Sequence, residues 1–170
     1  MFEMRLYVVP TRSAEGETID WVITENDYAS TVMGLCDVLA LAGARFHVAG
    51  FGLDDWRLDV SYDLSAVVEQ LPGFIRSLMF GAPTQLDFYS QGIERTLEFQ
   101  PAGEKCRITC ISRTSWVPSP QRIEMKTHDV IAMCQELAKD FASAVAIAAP
   151  SLARLEPFDS WRTGEYRWAS

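Results

Sequence analysis

Residues 85–99, QLDFYSQGIERTLEF, constrain the fold of this chain more than any other stretch. With Gln91 and Gly92 at the centre of a tight turn, Ser90 pairs with Ile93, Phe88 with Arg95 and Leu86 with Leu97, because glycine accepts the positive φ that such turns need. Leu86, Phe88, Ile93, Leu97 and Phe99 then share one face, and Asp87, Tyr89, Glu94, Thr96 and Glu98 the other. One side seeks a core and one can face water. Pro101 to Glu104 reads as the next turn, and residues 105–114 as a third strand with Cys106, Ile108 and Cys110 facing inward, completing an antiparallel meander.

Upstream, residues 1–9 alternate as a strand that Pro10 ends, and the β-branched and aromatic run 19–24 reads as its antiparallel partner in an N-terminal hairpin. Residues 45–60 read as two short strands about a turn near Gly52. Asn26 or Asp27 caps a helix that runs to about Ala42, followed by Gly43. Ser65 is positioned to cap a second helix with Val67, Val68, Leu71, Ile75, Leu78 and Met79 on its buried side. Pro72 lacks a backbone N–H and is expected to kink or split it. Pro118 and Pro120 argue against regular structure before Thr127, which is expected to cap the longest helix, ended by Pro150.

No repeat or linker divides the chain. Its 170 residues, 48% hydrophobic and 22% charged, fit one α+β domain spanning 1–170, an antiparallel sheet with about three helices packed on one face. Residues 151–170 are expected to form an irregular, aromatic-rich tail across it. No basic region precedes an apolar run at Met1, and no apolar stretch approaches the roughly 18 residues that span a bilayer, so the expectation is a cytoplasmic protein without a membrane partner.

The search for chemistry is short. Cys106 and Cys110 lie four apart on a strand, about 13 Å from each other at about 3.3 Å per residue, too far for a disulfide or a shared zinc. With Cys36 and Cys134 they read as small buried hydrophobes in a reducing compartment. His47 and His128 are the only histidines, and neither has a sequence partner that defines a site. No serine elbow or Ser-x-x-Lys pair appears. The glycines at 50 and 52 lack the rest of a dinucleotide loop or P-loop. Asp55 and Asp59 stand too far apart on extended chain to share an ion. The expectation is no catalytic residue, no metal and no cofactor.

Charge is more informative. Residues 1–69 hold 12 acidic side chains against four arginines, whereas residues 70–170 hold 11 of each sign. The whole net charge of −8 belongs to the first part of the chain. That argues against nucleic acid, whose binders need basic surface, and for a cationic partner. The candidate contact residues are Glu25, Asp27, Asp54, Asp55, Trp56 and Asp59.

In residues 50–60 (GFGLDDWRLDV), 64–72 (LSAVVEQLP) and 88–99 (FYSQGIERTLEF), the chain resembles a group of small bacterial proteins encoded near polymorphic-toxin and contact-dependent inhibition loci. The resemblance spans about residues 20–117 and implies an immunity protein that binds and inactivates a cognate toxin domain without catalysis. Many such toxins are basic nucleases. Two other readings stay open at this point. One is a small-molecule-binding protein or enzyme with an unrecognised pocket, and the other an assembly subunit using exposed Trp161, Tyr166 and Trp168.

Overall fold

The computed structural model describes residues 1–8 and 27–166. The expected strand at 19–24 and the candidate residue Glu25 lie outside that range, as does Trp168. Among these described residues, two antiparallel sheets and four α-helices form an α+β fold. Strand β1 (Glu3–Tyr7) pairs with β2 (Arg45–Ala49), Met4 opposite Val48 and Arg5 opposite His47. The meander comprises β3 (Thr84–Phe88), β4 (Arg95–Ala102), β5 (Lys105–Ser112) and β6 (Arg122–Lys126), in that spatial order.

The β3–β4 register is the one the turn dictates, Leu86 opposite Leu97 and Phe88 opposite Arg95. Ile93 N–H donates to Ser90 C=O at 3.1 Å across the turn, with Gly92 at φ +92°. The fourth strand was not expected. Ile123 and Met125 alternate with Arg122, Glu124 and Lys126 for only five residues, a signal that the neighbouring prolines obscure. Thr127 is the first residue of the following helix α3 (Thr127–Ala148) rather than its cap, a position Lys126 takes without a side-chain hydrogen bond, and the Thr127 hydroxyl donates to Gly103 C=O.

Helix α1 (Tyr28–Leu41) is capped by Asp27 and buries Val32, Leu35, Cys36 and Leu39, with Gly43 at φ +83° beyond its end. The second helix differs from expectation at its start. Asp59, not Ser65, is its cap, accepting from Tyr62 N–H at 3.0 Å, and a π-helical turn (Val60–Leu64) leads into α2 (Ser65–Met79). Pro72 does not split α2. Without an N–H at 72, the carbonyl one turn back, Val68 C=O, has no helical donor, and Tyr28 Oη supplies a hydrogen bond to it at 2.9 Å. Met79 is exposed rather than buried. Residues 54–59 form no second strand after β2, although Trp56 and Val60 are still buried.

The tail is more ordered than expected. A 3₁₀ turn (Leu152–Arg154) precedes α4 (Phe158–Thr163), whose Phe158 and Trp161 are buried. Phe158 lies 5.7 Å from both Phe141 and Trp161 by ring centroids. Trp161 is therefore core and not the exposed assembly patch. At the outer edge of β3, Gln70 from α2 donates to Asp87 C=O and accepts from Asp87 N–H, both at 2.9 Å.

The four cysteines are free and buried. Burial pushes the thiols of Cys36, Cys110 and Cys134 up, Cys110 to about 11, and raises the Tyr28 phenol too. On unfolding these groups return to ordinary values of 9.0 for a thiol and 10.0 for a phenol, so at alkaline pH the unfolded chain holds fewer protons. Stability is therefore fully present below about pH 8.5 and falls as pH rises, by about 2 kcal/mol at pH 10.5 for each thiol that stays protonated in the fold. Urea midpoints at pH 7.5 and 10.5 check this, and equal midpoints would contradict it.

Candidate functional site

The loop after β2 carries most of the predicted contact residues, and its backbone is tightly pinned. Gly50 N–H donates to Leu53 C=O at 2.8 Å and Ser119 N–H to Phe51 C=O at 2.9 Å. Gly50 and Gly52 have φ of +132° and +94°, and Phe51 and Arg57 adopt left-handed φ of 58° and 55° despite their side chains. A Cβ on Gly52 would stand 2.5 Å from Ser119 O. Trp56 is tied to the same loop, its N–H donating to Val48 C=O at 2.9 Å and its indole Nε1 to Gly50 C=O at 3.2 Å.

This geometry turns Trp56 inward. At 3% exposure it cannot anchor a partner on the surface, because its two hydrogen bonds to Val48 C=O and Gly50 C=O fold it back against β2. Its ring meets Phe88 at 5.3 Å and Trp116 at 6.2 Å. Between the two indoles lies Arg95, whose Cζ is 4.4 Å from the Trp56 centroid and 3.9 Å from that of Trp116. Arg95 stands in the inward row of β4 with Leu97 and Phe99 and is only 6% exposed. A desolvated cation over an indole gains about 2 kcal/mol or more, which offsets part of its lost hydration.

Asp63, in the π-helical turn, is a second buried charged side chain, at 3% exposure. Its Oδ2 accepts from Asp59 N–H at 2.7 Å, while its Oδ1 has no partner. Arg95 Nε and Nη1 are likewise unpartnered, so three of the four such buried side-chain atoms among the described residues belong to these two side chains. Burial pulls the Arg95 guanidinium down from its ordinary value, and the charges of Cys110 and Asp63 oppose that pull. Sequence reasoning missed Arg95. The available signal was its phase, an arginine opposite Phe88 in a row that is otherwise apolar.

The predicted acids divide by role. Asp27 accepts from Ser30 N–H at 3.3 Å and closely from the Ser30 hydroxyl, which holds its carboxyl below the usual range. It is spent on starting α1. Asp55 accepts from Arg57 N–H at 3.0 Å and reaches Arg45 at 3.7 Å and His47 at 3.5 Å. His47 contacts Glu3 on its other ring nitrogen at 3.4 Å. Asp59 caps the π-helical turn yet remains exposed, and Asp54 is exposed on the loop. Asp54 and Asp59 form no ion pair among the described residues. Asp54, Asp55 and Asp59 thus share one connection, while Asp27 belongs to a helix start.

Among the described residues no group of histidine, cysteine, aspartate or glutamate is arranged to hold a metal ion, and no helix is long and apolar enough to cross a membrane. No protein-family model, curated protein or solved structure matches the chain.

Proposed function

We propose that this is a non-catalytic immunity protein of the bacterial cytoplasm, one that binds and neutralises a cognate, basic toxin domain through an acidic surface. The observation that supports it is the confinement of the net charge of −8 to residues 1–69, with Asp54 and Asp59 presented from one pinned loop. A rigid acidic loop suits steering of a basic partner, which accelerates encounter and makes the rate salt-sensitive. Trp56 drops out of the contact surface, and its part is to hold the loop from beneath.

Two measurements test the reading. Co-expression with the toxin domain encoded beside its gene is expected to restore growth and to yield a stable complex, and failure of both sinks it. Asp54→Lys is expected to slow association about fivefold at low salt and to flatten its dependence on ionic strength. Asp54 is the clean choice because reversing Asp55 also disrupts Arg45 and His47. Association rates that do not change in Asp54→Lys remove the loop from the interface.

A further inference from the structure

The two-stranded sheet has an open border. Val48 C=O accepts from Trp56 N–H at 2.9 Å and Gly50 N–H donates to Leu53 C=O at 2.8 Å, so these alternate residues turn polar groups away from β1. Met4 and Val48 are therefore a non-hydrogen-bonded pair, and in an antiparallel ladder such pairs alternate with hydrogen-bonded ones. Arg5, opposite His47, holds its N–H and C=O against β2, whereas Met4 and Leu6 turn theirs to the outer edge. Among the described residues no strand pairs with that edge, and no backbone hydrogen bond from a turn or loop reaches Met4 or Leu6.

A groove of about 500 Å³ runs along this border. Residues 1–7 form one wall, and Met133, Glu136, Leu137 and Asp140, neighbours on one side of α3, form the other. Its charge is lopsided. Arg5 and Glu3 contact each other at 3.4 Å, whereas Glu136 and Asp140 form no ion pair among the described residues. Burial, and after it the Glu136 carboxylate, holds the Asp140 carboxyl above its ordinary value, against the pull of Lys139. A cation set beside the two acids relieves their repulsion. The groove also adjoins the acidic loop, because Glu3 contacts His47 at 3.4 Å and His47 contacts Asp55 at 3.5 Å.

We infer that this groove takes an extended, basic segment of the toxin domain, added to β1 as a further strand. The main chain of that segment bonds to the outward N–H and C=O of Met4 and Leu6, and one of its Lys or Arg side chains reaches Glu136 and Asp140. The inference rests on the immunity reading and adds the place and form of the contact. Asp54 and Asp59 set how fast the partner arrives, and the added strand sets how long it stays. A second copy of this chain, paired edge to edge, supplies no free cation, since the one cation of β1, Arg5, already contacts Glu3.

The test is amide hydrogen exchange of the full chain, free and bound to the toxin domain encoded beside its gene. In the free chain Met4 and Leu6 are expected to exchange at least about tenfold faster than Arg5 between them. Binding is expected to slow both by about tenfold or more and so erase the alternation. Asp140→Asn is expected to speed dissociation about fivefold and to change association by less than about twofold, unlike Asp54→Lys. If Met4 and Leu6 are already as slow as Arg5 in the free chain, its own residues or a second copy close the edge, and the inference is overturned. A complex that forms without slowing Met4 and Leu6, or whose dissociation is unchanged in Asp140→Asn, overturns it as well and leaves the immunity reading standing. Absence of any complex overturns both.

Discussion

Replacing Trp56 with alanine is expected to lower the free energy of unfolding by about 4 kcal/mol. Three losses add. The ring is almost wholly buried against Phe51, Phe88 and Trp116, so its removal leaves a cavity that the pinned loop cannot collapse into. Gly50 C=O loses the indole donor. Arg95 loses one of the two aromatic faces that stand in for its water. Trp56→Phe keeps most of the apolar area and is expected to cost about 1 to 2 kcal/mol, chiefly for the hydrogen bond. Urea denaturation of the three chains measures the difference. A loss below about 1 kcal/mol in Trp56→Ala would mean that the indole is not what holds the Arg95 box together.

Gly52→Ala is expected to cost about 3 kcal/mol, a large effect for the addition of one methyl group. At φ +94° an L side chain is strained whatever the space, and here there is none, because the new Cβ would meet the backbone oxygen of Ser119 at 2.5 Å. Backbone cannot rotate away as a side-chain end can, so the two loops must separate and the Ser119 to Phe51 hydrogen bond goes with them. Gly81→Ala is the control. Its φ of +67° imposes a similar conformational penalty, but nothing lies within 4 Å of the added Cβ, so about 1 kcal/mol is expected. Thermal melts of both variants separate strain from collision, and equal losses would show that the contact between the loops has no energetic weight.

The parts of the fold that follow from local chemistry were legible in the chain. The turn at Gly92 sets the register of β3 and β4, and the spacing of Val32, Leu35, Cys36 and Leu39 gives α1 its buried side. What stayed hidden depends on long-range partners. Pro72 sits in an uninterrupted helix because Tyr28, 44 positions earlier, satisfies the carbonyl it frees. Trp161 is core because α4 folds back onto α3, which its neighbouring charges disguise. The candidate site was half legible. Asp54 and Asp59 are surface acids as the charge pattern suggested, but the inward placement of Trp56, and of Arg95 against Trp56 and Trp116, depends on contacts between segments far apart in the chain.

The side chain of Gln70 has a consequence for how this molecule behaves in company. By presenting one amide to Asp87 it impersonates a neighbouring strand, and the N–H and C=O of Asp87 are already taken when another chain arrives. Growth of the meander into a shared intermolecular sheet is thereby barred at Asp87 on the β3 side. The opposite margin, β6, offers only five residues, with the charged Arg122, Glu124 and Lys126 exposed along it. The meander is thus guarded against edge-to-edge pairing by two unlike means, a glutamine that closes one border and charges that repel at the other.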